Sequence, residues 1–421
     1  MDKVSIHNLS PGMVLNQDVK DPGGRLLAPA GQEISEKLIR VFKIWGVGEI
    51  RIKAAEDAEQ TPSGEAEIPA DIRRKAEEIT RYRFQYNDLN DPFVDELFRI
   101  AVAKKARRLI KEPDGEPFND LLPPALEAAE NKGAPRNKKV SVNLLINKTL
   151  RMGTIPDIYY KTIAAINNPE ASLDDIAGIV SKDTTLSAKV LQLVNSSFYS
   201  LRQKVDTLTW ALALIGTNQL MTVVSGVSAV SLFKKIPSRL INMVSFWEHS
   251  IACGTAARLL SSYYPERMDG ERFFVAGLLH DIGRLILVQN LPARFYEIFQ
   301  RVRQEEIFLF TAEAEEFGAD HSVIGAELAL QWNLPGSLVN MIRNHHFPTQ
   351  ENAFFEAAII NLADIIVNAI EIGNSGEFFV PVIEPNVSQD LNLDREMLQS
   401  VVNEIDNQLG DIFEIIYGIA E

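Results

Sequence analysis

Cysteine is nearly absent from this sequence, since Cys253 is the single thiol among 421 residues. One thiol excludes an intramolecular disulfide and any metal site that is built from several cysteines. The chain also lacks a Walker-type glycine-rich loop, a G-x-S-x-G elbow, an H-E-x-x-H pair and a G-x-G-x-x-G turn. The sequence therefore gives no support for P-loop nucleotide binding, serine hydrolysis, zincin proteolysis or dinucleotide binding.

Positive charge is in deficit, because 42 Lys and Arg residues stand against 57 Asp and Glu residues and the formal net charge is −15. This balance argues against general affinity for DNA, RNA or an anionic membrane. No cationic and apolar leader pattern opens the sequence, so we expect a cytoplasmic protein. Residues 207–233 carry no charge, but Thr217, Asn218 and Gln219 interrupt them, which favours two buried helices joined at Gly216 over a membrane span.

Histidine is scarce but concentrated, with five of the six residues between positions 249 and 346. Uniform scatter would place about 1.4 of them in that window. The most informative stretch is 274–285, an apolar segment that predicts a helix ending in the pair His280-Asp281. Burial of an imidazole and a carboxylate is unfavourable unless something pairs with them, and a transition metal is a common partner. The alternative is that Asp281 only orients His280.

The other clustered histidines also adjoin helical apolar patterns: they are His249, His321, His345 and His346. Asp364 lies in the apolar run 357–366, where a carboxylate again requires a partner. The histidines and the two aspartates are therefore candidates for one buried polar site.

The order His, His-Asp, His, His-His, Asp resembles the ligand series of the HD superfamily of metal-dependent phosphohydrolases, and in particular its HD-GYP branch, which hydrolyses cyclic dinucleotides. The upstream chain resembles the HDOD domain, a regulatory relative that is described as non-catalytic. The residues that carry this second resemblance are Ile155-Pro156 and the segments 172–177, 183–191, 195–198 and 211–216. Together the resemblances cover about residues 141–370.

The resemblance implies a metal site that is formed by His249, His280, Asp281, His321, His345, His346 and Asp364. His249, His280, Asp281 and Asp364 would hold one ion, and the other three histidines a second, with Asp281 bridging the two. The implied metal is Fe, Mn, Zn or Ni, and in an enzyme Asp281 and Arg284 would take part in catalysis.

Two departures from the HD-GYP pattern argue against catalysis. The Gly-Tyr-Pro element expected after the paired histidines is replaced by Phe347-Pro348-Thr349, and the expected lysine is Arg284. We therefore favour a non-catalytic signalling protein of bacterial type that binds a partner protein and one or two metal ions. The alternative is a metal-dependent phosphohydrolase acting on a nucleotide or cyclic dinucleotide. The oligomeric state is not predicted.

The predicted fold is mainly α, an HDOD helical bundle preceded by a small β-rich module. Short alternating runs separated by Pro and Gly indicate strands in residues 1–53, with one helix from Ser35 to Trp45. This segment resembles the module found ahead of many HD-GYP domains. Residues 54–140 are a predicted linker with helical segments, and 141–421 the helical domain with its C-terminal helices. The pair 173–180 and 186–194 could be a helix-turn-helix, but one cation, Lys189, on the second helix favours core packing.

Overall fold

The computed structural model describes residues 2–5, 13, 15–16, 19–20, 26–28, 34, 49–52, 68–111, 141–152, 157–166, 168–196, 199, 203–233, 240–264, 270–348 and 354–418. The chain separates into two compact units, Met1–Ile68 and Pro69–Glu421. Each unit is described by itself.

The smaller unit contains two antiparallel strand pairs among its described residues. Strand β1 (Asp2–Ser5) pairs with β4 (Glu49–Ile52), and β2 (Val19–Lys20) pairs with β3 (Leu26–Ala28). These pairings are too short to establish the β-rich module that the sequence predicts for residues 1–53, which stays a prediction. The helix predicted from Ser35 to Trp45 lies outside the described residues.

The larger unit is helical, and the mainly α class is confirmed. Its helices are α1 (Ala70–Arg83), α2 (Pro92–Lys111), α3 (Val142–Met152), α4 (Asp157–Ile166), α5 (Leu173–Val180), α6 (Thr184–Val194), α7 (Leu208–Ile215), α8 (Thr217–Phe233), α9 (Met243–Ser261), α10 (Gly270–Leu279), α11 (Ile282–Asn290), α12 (Pro292–Gln304), α13 (Leu309–Phe317), α14 (His321–Gln331), α15 (Gly336–Asn344), α16 (Phe354–Ala369), α17 (Pro385–Asp390) and α18 (Arg395–Ile416).

Polar side chains and one glycine set several helix ends. The Ser172 hydroxyl accepts a hydrogen bond from the Asp175 backbone N–H, and the Asp175 carboxylate accepts one from the Ser172 backbone N–H, so a capping box begins α5. Asp91 caps α2 by accepting from the backbone N–H groups of the second and third residues that follow it. Gly216 separates α7 from α8 at φ +86°, a conformation that favours glycine. The two helices predicted within residues 207–233 are confirmed.

None of the described helices is by itself both long and apolar enough to cross a membrane. One bent pair, Gly270–Asn290 and Pro292–Gln304, meets the criteria of length and composition when its two halves are taken together, and the angle between the halves is 118°.

Helix α9 lies at the centre of the larger unit and packs against α10, α16 and α18. Gly254 and Gly277 allow α9 and α10 to touch backbone to backbone. A Cβ atom at Gly277 would lie only 2.7 Å from the Cα atom of Gly254. Because α10 ends at Leu279, this contact brings the His280-Asp281 turn against the helix that carries His249.

The segment predicted as a linker, residues 54–140, contains α1 and α2, and both belong to the larger unit. Three of their cations surround one carboxylate. The Arg83 guanidinium lies 3.1 Å from Glu371, the Lys105 ammonium 2.9 Å and the Arg108 guanidinium 3.0 Å. Glu371 lies just after α16, so these ion pairs fasten α1 and α2 to that helix. Residues 112–140 lie outside the described part of the chain, and the domain boundaries at 53 and 140 stay predictions.

Candidate metal centre

Five structural elements bring the seven predicted ligands together. His249 lies on α9, Asp364 lies in the middle of α16, and His321 is the first residue of α14. The other four lie in the turn between α10 and α11 and just after α15; they are His280, Asp281, His345 and His346. Residues from such distant positions can meet only when the helices pack, so their convergence is a property of the tertiary fold.

A hydrogen bond to the backbone fixes the orientation of the His280 ring. Its Nδ1 atom lies 2.7 Å from the carbonyl oxygen of Gly277, and this oxygen can only accept, so Nδ1 carries the proton. In the neutral ring, Nε2 then presents a lone pair 3.1 Å from Asp281 Oδ2 and 3.5 Å from Asp364 Oδ1. Among the described residues Nε2 has no hydrogen-bond partner. Lone pairs that face carboxylate oxygens require a proton or a metal ion between them.

His345 repeats this arrangement. Its Nδ1 atom lies 2.7 Å from the carbonyl oxygen of Ile342, and its buried Nε2 atom lacks a hydrogen-bond partner in the described part of the chain. The side-chain amide of Asn361, on α16, donates to the His345 carbonyl oxygen at 2.7 Å and fixes the backbone there. Metal-binding histidines characteristically donate their other ring N–H to a carbonyl oxygen or a carboxylate.

His249 contacts a carboxylate and the thiol. Its Nε2 atom lies 3.1 Å from Asp364 Oδ1, 3.6 Å from Asp281 Oδ2 and 3.4 Å from Cys253 Sγ. Asp364 is held in turn by the Asn368 side chain, which donates to its Oδ1 atom at 2.8 Å. These atoms and His280 Nε2 surround one small buried space.

A second group of histidines adjoins the first. His321 Nε2 lies 2.8 Å from Asp281 Oδ1 and 2.9 Å from His346 Nε2. The His346 ring stacks on Phe310, with the ring centroids 4.2 Å apart. Asp281 therefore lies between the two groups, because one of its oxygens faces His280 and the other faces His321.

Arg284 is enclosed beside this site, with about 1% of the residue exposed. Its Nε donates to Glu313 at 3.0 Å, and its Nη1 donates to the Ser375 hydroxyl at 2.8 Å and to Asp281 Oδ2 at 3.3 Å. Its Nη2 lies 2.9 Å from His321 Nδ1. Each guanidinium nitrogen is therefore engaged by protein atoms.

The charges of the site shift its pKa values in opposite directions. Burial by itself lowers the pKa of His280, but the carboxylates of Asp281 and Asp364 outweigh burial and raise that pKa to about 10. Burial and the Arg284 guanidinium lower the pKa of His321, yet Glu313 and Asp281 bring it to about 9. The carboxylates therefore favour positive charge at these two rings, and a bound metal ion can supply that charge in place of a proton.

The remaining ligands follow the same electrostatic logic. Burial and the charges of His280 and His321 lower the pKa of His345 to about 3, and burial with the neighbouring histidines lowers that of His346. Burial raises the pKa of Asp364, but the facing imidazoles of His249 and His280 reverse this and bring it well below its usual value. The pKa of Asp281 is also lowered, because Arg284 and the adjacent imidazoles outweigh burial.

The donor set fits a divalent transition metal. Buried imidazole nitrogens, carboxylate oxygens and one thiol sulfur form three groups, and within each group the ligand atoms lie within 4.8 Å of one another. The groups are His249, Cys253, His280 and Asp364; His321, His345 and His346; and His280, Asp281 and His345. The unpartnered Nε2 atoms of His280 and His345 point to the same conclusion. The chain thus has buried His and Asp clusters that could bind a metal.

Sequence reasoning missed three residues of the site. Cys253 follows His249 by four positions, so helical spacing could have placed both on one face of α9. Glu313 and Ser375 gave no such signal: Glu313 lies 2.5 Å from His321 Nδ1, but it comes from a segment with several glutamates, and Ser375 comes from a segment without regular secondary structure.

Comparisons with known proteins concern the domain and its fold. The model of the HDOD domain family matches residues 152–348. An uncharacterized protein of Treponema pallidum (strain Nichols) is 25% identical over 218 residues, which make up 50% of this chain and 42% of that protein. The chain thus covers less than half the length of that relative.

Two solved structures share the fold. An HDOD domain protein of unknown function from Geobacter sulfurreducens has a TM-score of 0.51 and 23% identity, and the match covers 66% of this chain and 98% of that one. A protein from Shewanella amazonensis SB2B, named as a proposed phosphohydrolase, has a TM-score of 0.50 and 22% identity with the same coverage. At these identities the likeness concerns the fold alone.

Proposed function

Residues 152–348 of this chain are an HDOD domain, and on this premise we propose that the chain is a non-catalytic signalling protein that binds a metal. In this proposal the seven-residue cluster holds one or two ions of Fe, Mn, Zn or Ni. The surface of the domain binds a partner protein in the cytoplasm, and a nucleotide is a further candidate ligand. The acidic net charge of −15 supports a partner other than nucleic acid.

The observation that carries the non-catalytic function is the enclosure of Arg284. A cation that assists phosphoryl transfer has to reach a phosphate oxygen. Here the guanidinium donates to Glu313, Ser375 and Asp281 and is about 1% exposed. Its positive charge balances buried carboxylates, and its hydrogen-bonding capacity is directed to the protein.

The metal's contribution in this proposal is to the fold. His249 and Asp364 belong to α9 and α16, and His280 belongs to the turn between α10 and α11. When bound, an ion supplies positive charge that neutralises the facing carboxylates and links these elements. Such a site converts metal binding into a change in the stability of the helical unit.

A second candidate function is hydrolysis of a nucleotide or cyclic dinucleotide. The supporting observation is that the histidine groups lie side by side with Asp281 between them, which is the kind of arrangement that can hold two ions. The Shewanella amazonensis protein named as a proposed phosphohydrolase has the same fold.

One experiment separates the two functions. The full chain, loaded with Mn(II) or anaerobically with Fe(II), is assayed against cyclic di-GMP and a generic phosphodiester while its metal content is measured. We expect bound metal and no turnover above background, because no described cation is positioned as a phosphate clamp at the ligand cluster. Turnover that disappears in both His280→Ala and Asp281→Ala would make the protein an enzyme. Loaded samples that retain no metal would refute both candidate functions.

A further inference from the structure

We propose that Cys253 is a metal ligand, and that its Sγ atom completes a four-coordinate site with His249, His280 and Asp364. This inference rests on the proposed metal binding and specifies its donor set. It assigns the chain's single thiol to the ion, whereas the ligand series implied by sequence resemblance contains only nitrogen and oxygen donors.

The helix geometry places the thiol at the site. Cys253 lies four residues after His249, so both side chains project from one face of α9. Cys253 is fully buried, and its Sγ atom lies 3.4 Å from His249 Nε2. A buried free cysteine is commonly a small apolar core residue. Here it faces an imidazole and a carboxylate instead.

The distances match the edges of a coordination tetrahedron. Metal–nitrogen and metal–oxygen bonds of ~2.0–2.2 Å and a metal–sulfur bond of ~2.3 Å separate neighbouring ligand atoms by ~3.3–3.6 Å. The observed separations are 3.1 Å between His249 Nε2 and Asp364 Oδ1, 3.5 Å between His280 Nε2 and that oxygen, and 3.4 Å between His249 Nε2 and Cys253 Sγ. The Sγ–Oδ1 separation of 4.0 Å is the longest of these. A displacement of a few tenths of an ångström would close it.

His280 gives an independent indication that an ion belongs in this space. Its Nε2 atom is buried and aimed at the same centre, and in the described structure no donor approaches it. Its Nδ1 atom is already committed to the Gly277 carbonyl oxygen. The ring is therefore oriented to offer a lone pair to the position that the thiol also faces.

Asp281 competes less well for the fourth position than its place in the sequence suggests. Its Oδ2 atom accepts from Arg284 at 3.3 Å, and its Oδ1 atom lies 2.8 Å from His321 Nε2. Asp281 Oδ2 also lies 3.1 Å from His280 Nε2 and 3.6 Å from His249 Nε2, but it faces the Arg284 charge as well, whereas Cys253 Sγ has only His249 and Asp364 within hydrogen-bonding range among the described residues. The thiol is the donor that is left to close the site.

The proposed bond is a simple ligand exchange. As sulfur replaces a water molecule of the hydrated divalent ion, that water and the Sγ–H proton pass to solvent, so no oxidant or reductant is required. A thiolate favours Zn(II) over Mn(II) or Mg(II). Four protein ligands also leave no coordination position for water, as in structural zinc sites. The donor set therefore agrees with a non-catalytic role.

The test uses the full chain and Co(II) as a spectroscopic probe. Metal-free protein is titrated with Co(II), and we expect intense visible bands of a tetrahedral ion together with a near-ultraviolet sulfur-to-cobalt charge-transfer band. Cys253→Ser should abolish the charge-transfer band and weaken Zn(II) binding by about tenfold or more, judging from the effect of disturbing a ligand's surroundings. Thr255→Ser, a buried change on the same helix, should preserve both signals.

The outcomes separate this inference from the function on which it rests. Co(II) that binds stoichiometrically without a charge-transfer band would overturn the role of Cys253 and leave metal binding intact. Failure of the wild-type chain to bind any Co(II) or Zn(II) would overturn both. X-ray absorption of the Zn(II)-loaded wild type tests the bond without a variant, because a ligand thiolate gives a sulfur shell at ~2.3 Å. A spectrum that is fitted by nitrogen and oxygen alone would contradict the proposal.

Discussion

At the scale of single residues, Asp364 is the proposed ligand whose replacement tests metal binding most directly. Asp364→Asn keeps the size of the side chain and removes the charge that faces His249 and His280. A ligand at 100 times its Kd stabilises the native state by about 2.7 kcal/mol. We therefore expect Zn(II) to raise the melting temperature of the wild type and to leave that of Asp364→Asn unchanged.

The control for this experiment is Glu404→Gln, on the exposed side of α18, which should respond to Zn(II) as the wild type does. The informative quantity is the difference between the melting temperatures of each protein with and without Zn(II). Removing a buried charge can by itself stabilise or destabilise the metal-free protein. Equal metal-dependent shifts in Asp364→Asn and wild type would refute the assignment of Asp364.

Glu371 predicts a pH dependence that is independent of the metal. Burial raises its pKa, but the charges of Arg83 and Lys105 outweigh burial, and the folded pKa lies below the usual value of 4.5. The stabilisation is therefore fully present above the unfolded pKa and is lost as the pH falls through the lower folded pKa. Because about 16% of the Glu371 side chain is exposed, removing its charge should cost less than the ~3 kcal/mol that is typical of a fully buried pair.

We expect Glu371→Gln to lower the free energy of unfolding at pH 7 and to flatten its decline below pH ~4.5. Urea unfolding of metal-free protein across this range measures both effects. The control is Glu305→Gln, which removes an exposed carboxylate just after α12 that pairs with Arg301 on that helix. Because solvent screens an exposed pair, this change should alter the curve only slightly. A Glu371→Gln curve parallel to that of the wild type would show that the cluster does not hold Glu371 ionised.

The candidate site shows what residue types can and cannot predict. Histidine clustering and the apolar surroundings of Asp364 indicated the seven residues that the fold brings together, although their role as ligands stays a prediction. Cys253 and Glu313 were missed for a physical reason. A lone buried cysteine fits an ordinary core, and a glutamate on a partly acidic helix fits an exposed face. Their significance depends on which helices pack together, and local pattern does not encode that.

At the scale of helices, the contact between α9 and α10 controls the geometry of the site. Gly277→Ala would place a Cβ atom 2.7 Å from the backbone nitrogen of Gly254 and 2.8 Å from the carbonyl carbon of Cys253. The helices would have to separate, which typically costs about 1–3 kcal/mol. We expect thermal unfolding at a lower temperature and weaker Co(II) binding, because His280 lies three residues beyond the change.

The matched control is Gly178→Ala on α5. A Cβ atom at this helical position would meet no atom within 4 Å. Because alanine favours the helix over glycine by up to about 1 kcal/mol, the control should be neutral or slightly stabilising. A Gly277→Ala protein with unchanged stability and metal affinity would show that the two helices can move apart freely.

The same elements explain which helices the sequence predicts. Helices with a polar cap and an apolar stripe were predicted close to their observed bounds, as for α5 and α6. The helix predicted through Asp281 instead ends at Leu279, and α11 begins at Ile282, so the ligand pair lies in a turn. Continuous apolar sequence on both sides hid this break. Helix α1 has no clean apolar stripe, because Thr80 and Arg83 are among its buried residues.

At the scale of the whole chain, the position of α1 and α2 leads to a prediction about truncation. Both helices precede the predicted domain start at residue 141, yet they lie in the compact unit Pro69–Glu421. A chain of residues 69–421 keeps Arg83, Lys105 and the contact of α2 with α18, whereas residues 141–421 lose that contact and leave Glu371 without these cations. The buried apolar face of α2 is lost as well, and both losses are destabilising.

We therefore expect residues 69–421 to unfold cooperatively at a temperature close to that of the full chain and to bind the same amount of Zn(II). Residues 141–421 should unfold at a clearly lower temperature or fail to fold. Adding Glu371→Gln to the short chain should recover part of the loss, because it removes the unpaired charge and leaves the missing apolar contacts unrestored. Calorimetry of the full chain, the two truncated chains and the Glu371→Gln short chain measures these differences. Equal stability of the two truncated chains would mean that α1 and α2 only cover the helical domain, and that its folding depends on residues 141–421 alone.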